Sequence, residues 1–272
     1  PYKYFHIYIN INMEIENTHT YSTRYGKITL YKNEAYIANE FKKGSYDDIK
    51  SLMELKQYID PEKNILEIGG HCGTSSVVYS SFLKGNSKIY IYEPQKNLFK
   101  LLCRNIFQNN ITNAVPNNKG VFCFNGKVKM NHIDIDGGRG IVEKRYTNEG
   151  DKPCNFGGIG IGGLGEEIEV VKIDDMGLDN VGYIHCDAQG SENYLFSTGQ
   201  ELIKRCRPVI YYENLGNTDA WYCKAMFNNV KSNYPQYSEN SLFDIEKFCL
   251  GELGYTKVVK KLHGSLNDIL IP

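Results

Sequence analysis

The sequence predicts an α/β fold, a mostly parallel sheet of seven strands with helices on both faces and an antiparallel last strand. Three observations predict it. Strand-like and helix-like segments alternate from residue 64 onward. Two apolar strands carry acids at their ends, Glu67 and Glu93, and the first runs into Gly69-Gly70-His71-Cys72-Gly73. The chain closes on strand, turn, strand, with Gly254 to Val259 followed by Asn267 to Ile271.

The elements follow in order. Residues 20–45 alternate short apolar runs, Ile28-Thr29-Leu30-Tyr31 and Tyr36-Ile37-Ala38, with turns, which reads as a β-rich lead-in. Tyr46 to Ile59 has helical spacing through Ile49, Leu52, Leu55 and Tyr58, and Pro61 follows its end. Strands are expected at Asn64–Ile68, Lys88–Tyr92, more weakly Ala114–Val121, then Val181–Cys186 and Pro208–Tyr212. Helices are expected to start near Thr74, Gln95, Ser191 and Asp219. Right-handed crossovers then place the strand ends on one rim. Residues 122–170 interrupt the alternation with a glycine-rich insertion of turns and short strands over that rim. Residues 1–60 form a lead-in, and 61–272 form the main domain with its insertion.

The bulk numbers narrow the function. The 272 residues include 31 basic and 32 acidic ones, so no global field recruits nucleic acid or an acidic membrane. No apolar stretch reaches the roughly 18 residues that span a bilayer. Tyr, His and Asn interrupt the early apolar residues, against a signal peptide, and Met13 offers an internal start. The 8 cysteines sit singly, without Cys-x-x-Cys, which reads as reduced thiols in the cytoplasm.

The site is expected where strands meet helices. A glycine turn lets backbone approach a cofactor closely, and the following helix start offers N–H groups to an anion. Glu93 lies twenty residues after Gly73, near the spacing at which a doubly wound fold presents a carboxylate to ribose hydroxyls. The expected cofactor contacts are Glu67, Gly69, Gly70, His71, Gly73, Thr74, Glu93, Pro94, Gly120 and Asp187. The strand before His185-Cys186-Asp187-Ala188-Gln189-Gly190-Ser191-Glu192 delivers Asp187 to the same rim, and Glu213-Asn214 ends the next strand. Asp187 is the expected general base, with Glu213 or His71 as rivals. His185 is expected to pack within the sheet. Acceptor contacts are expected at Asn155, Gly157, Gly158, Glu192 and Asn214. Asp187, Glu213 and Asn214 also suit a weak Mg²⁺ site, but no metal is assigned.

Two motifs mislead. Gly158-Ile159-Gly160-Ile161-Gly162-Gly163 satisfies Gly-x-Gly-x-x-Gly, yet Glu166 to Ile173 alternates like a strand where a helix is required. Asp134-Ile135-Asp136-Gly137 imitates a calcium loop but places Arg145 where Glu is needed.

Together these residues resemble the FkbM family of S-adenosylmethionine-dependent methyltransferases. The likeness rests on Glu67 to Gly73, on Glu93-Pro94 with Leu98, Leu101 and Asn105, and on Ile173-Asp174-Asp175 before His185 to Glu192. Arg207-Pro208-Val209-Ile210, Glu213 and Gly254-Tyr255 continue it, over roughly residues 25–272. His71 stands where the family has Asn, His185 where it has Lys, and Gln189 where it has the first Glu of the late motif. The resemblance implies a Rossmann-like class I methyltransferase fold, with S-adenosyl-L-methionine as cofactor. It implies O-methylation of a hydroxyl on a sugar, glycan or other small metabolite.

The alternatives are a NAD(P)-dependent oxidoreductase and a non-catalytic binding protein on the same fold. The missing Gly-x-Gly-x-x-Gly after the first strand and the closing hairpin oppose the oxidoreductase. A nucleic-acid methyltransferase is opposed by the neutral charge and by the absence of an Asn-Pro-Pro-aromatic motif.

Overall fold

The computed structural model of the chain describes residues 15–42, 52–132, 154–214, 221–237, 242–260 and 266–272. A hairpin of β1 (Thr18–Thr23) and β2 (Gly26–Tyr31) leads through α1 (Ile37–Lys42) to β3 (Asn64–Ile68) and α2 (Thr74–Ser80). Next come β4 (Ile89–Tyr92), α3 (Lys96–Gln108) and β5 (Ala114–Asn117). Short strands follow, β6 (Gly120–Val121), β7 (Gly126–Lys129) and β8 (Glu167–Val171). The chain returns to the centre with β9 (Val181–Cys186), α4 (Glu192–Leu195), α5 (Gln200–Cys206) and β10 (Val209–Glu213). It ends with α6 (Trp221–Asn233), α7 (Ile245–Lys247), β11 (Lys257–Val259) and β12 (Asn267–Ile271).

The main sheet has seven strands in the order β11-β12-β10-β9-β3-β4-β5. From β10 to β5 every neighbour is parallel, while β12 is antiparallel to both β10 and β11. This is the Rossmann-like class I methyltransferase arrangement. Strand order reverses between β3 and β9, and ligands of such sheets bind at that switch point.

Alternation along the strands divides the core. Ile65, Ile89, Ile91, Tyr183 and Ile269 pack on one face with Val78 and Tyr79 of α2 and Leu102 of α3. Leu66, Ile68, Ile184, Ile210 and Leu270 pack on the other with Leu195, Leu202, Ile203 and Phe248. Both faces are covered, so these strands read as nearly continuous apolar runs. A third cluster joins the N-terminal hairpin to α3 and the three-stranded sheet β6-β8-β7.

Several boundaries differ from the expectations. Tyr36-Ile37-Ala38 opens α1 rather than a strand, because the Glu34 carboxylate accepts the N–H groups of Tyr36 at 3.0 Å and Ala38 at 2.6 Å. Ala114–Val121 splits into β5 and β6. The Asn118 side chain turns the chain by donating to the Glu93 and Pro94 carbonyls at 2.9 and 3.0 Å. The seven-residue α5 was not anticipated, and its first turn is held from a distance by Asp174, which accepts from Leu202 N–H at 2.8 Å. Of the helix expected over 46–59, residues 52–55 are helical and Lys56–Tyr58 form a 3₁₀ turn. Positions 46–51, the calcium-loop look-alike at 134–145 and the start near Asp219 lie outside the described residues. The false Gly-x-Gly-x-x-Gly is followed by β8, a strand.

Asn105 ties three elements together. Fully buried on α3, it accepts from Thr29 N–H at 2.7 Å and donates to the Thr29 carbonyl at 3.0 Å and the Cys72 carbonyl at 2.7 Å. Asn105→Ala leaves buried backbone groups of β2 and of the glycine turn without partners. A loss of about 2–3 kcal/mol is expected, measured as a lowered denaturant midpoint; an unchanged midpoint contradicts the linkage.

Candidate active site

Packing on three sides makes glycine necessary in the turn after β3. Gly69 has φ 86°, and a Cβ there would lie 1.8 Å from the Asp187 carbonyl oxygen. Its N–H and that of Gly70 both donate to the Tyr92 carbonyl, at 2.9 and 3.0 Å. A Cβ on Gly70 would meet Ile91 at 2.3 Å, and one on Gly73 would meet Leu102 at 2.6 Å. His71 takes φ 49°, a left-handed conformation that His and Asn adopt more readily than most residues.

The Glu93 carboxylate closes this turn. It accepts from His71 N–H and from Gln95 N–H, each at 2.8 Å. Burial pushes its pKa up to about 8, against the pull of those two donors. The His71 ring is kept neutral by burial, with a pKa near 4. Its Nε2 is buried with no hydrogen-bond partner, and Gly157 packs beside it.

Glu67 plays a different part. It is fully buried and accepts the hydroxyls of Ser75 and, at 2.5 Å, Ser76, so it pins the start of α2 to β3. Its Oε1 lies 3.7 Å from His185 Nδ1. Burial raises Glu67 to about 7 and lowers His185 to about 4.

Above the strand ends lies a cleft of about 890 Å³. Pockets for one small ligand run roughly 300–1,000 Å³. Of the expected cofactor positions, Gly69, His71, Thr74, Glu93, Pro94, Gly120 and Asp187 reach its wall. Glu67, Gly70 and Gly73 stand behind the wall and shape it. Glu213, Asn155 and Gly157 are on the wall, while Gly158, Glu192 and Asn214 are not. The Glu192 carboxylate accepts from Ala188 N–H at 2.7 Å and so locks the turn after β9; burial lifts it to about 7. Asn214 donates to Asp268 at 2.7 Å.

The described end of the glycine-rich insertion is anchored over the rim. Cys154 pairs with the backbone of Asn33 and Ala35, and Gln95 Nε2 donates to the Phe156 carbonyl at 2.9 Å. Phe156 is fully buried against Tyr31, with ring centres 5.3 Å apart. Asn155 and Gly157 therefore sit over the β4 half of the cleft, beside His71 and Gln95.

On the same rim, Asp187 and Glu213 end neighbouring strands and can bring carboxyl oxygens within 4.8 Å of one another, so they are placed to share a proton. Burial raises the Asp187 pKa, opposed by the hydrogen bond from Gln189 Nε2 at 2.9 Å and by the neighbouring Glu213. Among the described residues, Asp187, Glu192 and Glu213 can each bring one oxygen within 4.8 Å of the others, close enough to share a proton or a cation.

Ser75, His185, Tyr211 and Asn267 also line the cleft, beyond the expected set. Two of them had a signal in the sequence. His185 lies two residues before Asp187 and Tyr211 two before Glu213, and residues so spaced on a strand share a face.

No family model matches the chain, and no curated protein matches it. Solved structures do. The methyltransferase FkbM from Methylobacillus flagellatus KT is 14% identical over 74% of this chain and 55% of its own, with TM-score 0.39. M. jannaschii TYW2 in complex with AdoMet is 10% identical over 95% of this chain and 85% of its own, with TM-score 0.45. An rRNA methylase from Streptococcus thermophilus is 11% identical over 61% and 70%, with TM-score 0.31. The chain spans about half the length of the FkbM structure. Likeness of this degree assigns no activity, and the chemistry has to be read from the side chains. Among the described residues no helix is long and apolar enough to cross a membrane.

Glu93 makes stability depend on pH. Its ordinary pKa is 4.5 and its folded one about 8, so the folded chain holds a proton that the unfolded chain releases between those values. Its contribution to stability is therefore lost as pH rises through that window. Melting scans from pH 5 to 9 should show a shallower decline for Glu93→Gln than for the wild type. Glu67, raised to about 7, supplies part of the remaining slope. Parallel profiles would contradict the Glu93 shift.

Proposed function

We propose that the chain is an S-adenosylmethionine-dependent O-methyltransferase acting on a hydroxyl of a sugar, glycan or other small metabolite. The observation that carries this reading is the pair of carboxyl groups, Asp187 and Glu213, on the cleft wall beside the glycine turn. Acids there complement a positively charged sulfur, whereas a dinucleotide pyrophosphate would meet like charge. The same argument weighs against nucleic acid as the acceptor.

The residues fit that cofactor. The absent Cβ of Gly69 lets the backbone of the turn lie against the end of β9. The buried, unpartnered Nε2 of His71 calls for a polar group from a ligand. In this reading Glu93 faces the ribose hydroxyls, and Pro94 and Gly120 flank the base. Gly69, His71 and Thr74 hold the methionine end, supported from behind by Gly70, Gly73 and Glu67. In this reading residues 1–60 are a lead-in to the catalytic domain, 61–272, and the lead-in's described hairpin packs against α3.

When bound, the cofactor supplies an electrophilic methyl carbon on sulfur. The chain supplies alignment and a proton acceptor. Asp187 would take the hydroxyl proton as the acceptor oxygen displaces sulfur from the methyl carbon, with the carbon–sulfur bond breaking to leave a neutral thioether, and Glu213 would balance the charge beside Asp187. Glu192 holds the turn that aims Asp187. No metal is assigned to these acids.

Calorimetry with S-adenosylhomocysteine and with NAD tests the cofactor, and only the first is expected to bind. Methyl transfer from labelled S-adenosylmethionine to hydroxylated metabolites tests the chemistry. Asp187→Asn is expected to lower turnover about 10²- to 10⁴-fold, with S-adenosylhomocysteine binding kept and EDTA without effect. Full turnover by Asp187→Asn would remove the base from Asp187.

A further inference from the structure

The cleft has two halves on either side of the switch point. Glu93, Pro94 and Gly120 line one. The other lies over β9, β10 and β12 and is lined by Ser75, His185, Asp187, Tyr211, Glu213 and Asn267. In the reading above, a nucleoside fills the first half, so the methyl acceptor enters the second.

His185 is the unusual group there. Strand register sets it between Glu67 on β3 and Tyr211 on β10. The edge of Tyr79 and the Tyr211 ring flank it, with centres 5.6 and 5.0 Å away. Nδ1 is sealed from the cleft with no hydrogen-bond partner, and the nearest acid oxygen is Glu67 Oε1 at 3.7 Å. The side chain as a whole keeps 12% exposure, and the ring lines the cleft. A neutral imidazole carries its one proton on either nitrogen, and the neighbour of the other nitrogen decides which. With the proton on Nδ1 the N–H lies on the Glu67 side of the ring, 3.7 Å from Oε1, an electrostatic contact longer than a hydrogen bond. Nε2 is then left as a bare acceptor toward the cleft.

We propose that Glu67 sets His185 as the Nδ1–H tautomer, and that His185 Nε2 accepts a hydrogen bond from a second hydroxyl of the methyl acceptor, adjacent to the one that is methylated. His185 is then a positioning residue, and the substrate class is a vicinal diol. Positions two apart on a strand are about 6–7 Å apart. Two adjacent hydroxyls, each with a hydrogen bond of about 2.7–2.8 Å, bridge His185 and Asp187. The proposal rests on the methyltransferase reading for which hydroxyl reacts, but not for the state of His185.

The test is imidazole ¹⁵N NMR on the full chain with S-adenosylhomocysteine present, titrated with cis-1,2-cyclohexanediol or cyclohexanol. The expected result is a protonated Nδ1 and a bare Nε2. The diol should shift Nε2 at a concentration about two- to tenfold lower than cyclohexanol, the worth of one hydrogen bond. His185→Phe assigns the resonance and should abolish the preference for the diol. Glu67→Gln should shift the proton toward Nε2. A proton on Nε2 in the wild type overturns the proposal, as does an equal response to diol and mono-alcohol; neither readout needs a variant to fold. Calorimetry decides the cofactor separately. A chain that ignores S-adenosylhomocysteine but shows the expected His185 state and diol preference would lose the methyl donor and keep the subsite.

Discussion

The backbone approach of Gly69 to Asp187 is the constraint on which the rest of the site depends. Two parallel strands, β3 and β9, end together, and their chains then depart in opposite directions. The carbonyl of Asp187 occupies the space where a side chain at 69 would begin. Asp187 N–H continues the ladder by donating to the Ile68 carbonyl at 3.0 Å. Any residue larger than glycine would force the strand ends apart and separate the glycine turn from the acid that faces it.

Around that contact the protein keeps an unusual number of carboxyl groups out of water, each with a specific reply. Glu93 is answered by two backbone N–H groups, Glu67 by two serine hydroxyls and Glu192 by one N–H. Asp187 is answered by Glu213 and by Gln189. Burial raises the pKa of all four, because the charged form loses its hydration, and their donors oppose that loss. The acids thus divide by role. Glu67 and Glu192 hold turns from behind the wall, while Glu93, Asp187 and Glu213 meet the cleft.

Much of the fold was legible because local signals agreed with the global one. β3 and β9 were readable to the residue, since both are apolar runs bounded by turn residues. The closing strands β11 and β12 were readable for the same reason. α1 was not, because three apolar residues, Tyr36 to Ala38, have no period of their own and the Glu34 carboxylate decides their conformation. Strand β8 was legible in the alternation of Glu166 to Ile173, but its pairing with β6 and β7 was not, because those strands are short and distant in sequence. The glycines around Phe156 mark a segment over the rim, but what anchors it there, the buried Phe156 ring against Tyr31, has no signal in the sequence.

The sequence by itself determined the sheet order class, the glycine turn and the four strand-end acids, Glu67, Glu93, Asp187 and Glu213. These follow from periodicity, from glycine's lack of a Cβ and from the polarity of strand ends. Only the tertiary structure decided which way each acid faces. A carboxylate at a strand end can turn to the cleft or to the neighbouring helix, and the choice rests on donors brought from elsewhere in the chain. Ser75 and Ser76 draw Glu67 inward, Ala188 N–H draws Glu192, and Glu213 meets Asp187 across two strands. His185 shows the same limit. Its two-residue offset from Asp187 puts it on the same face of the strand, but only the register against Glu67 and Tyr211 sets what its ring meets on the wall of the cleft.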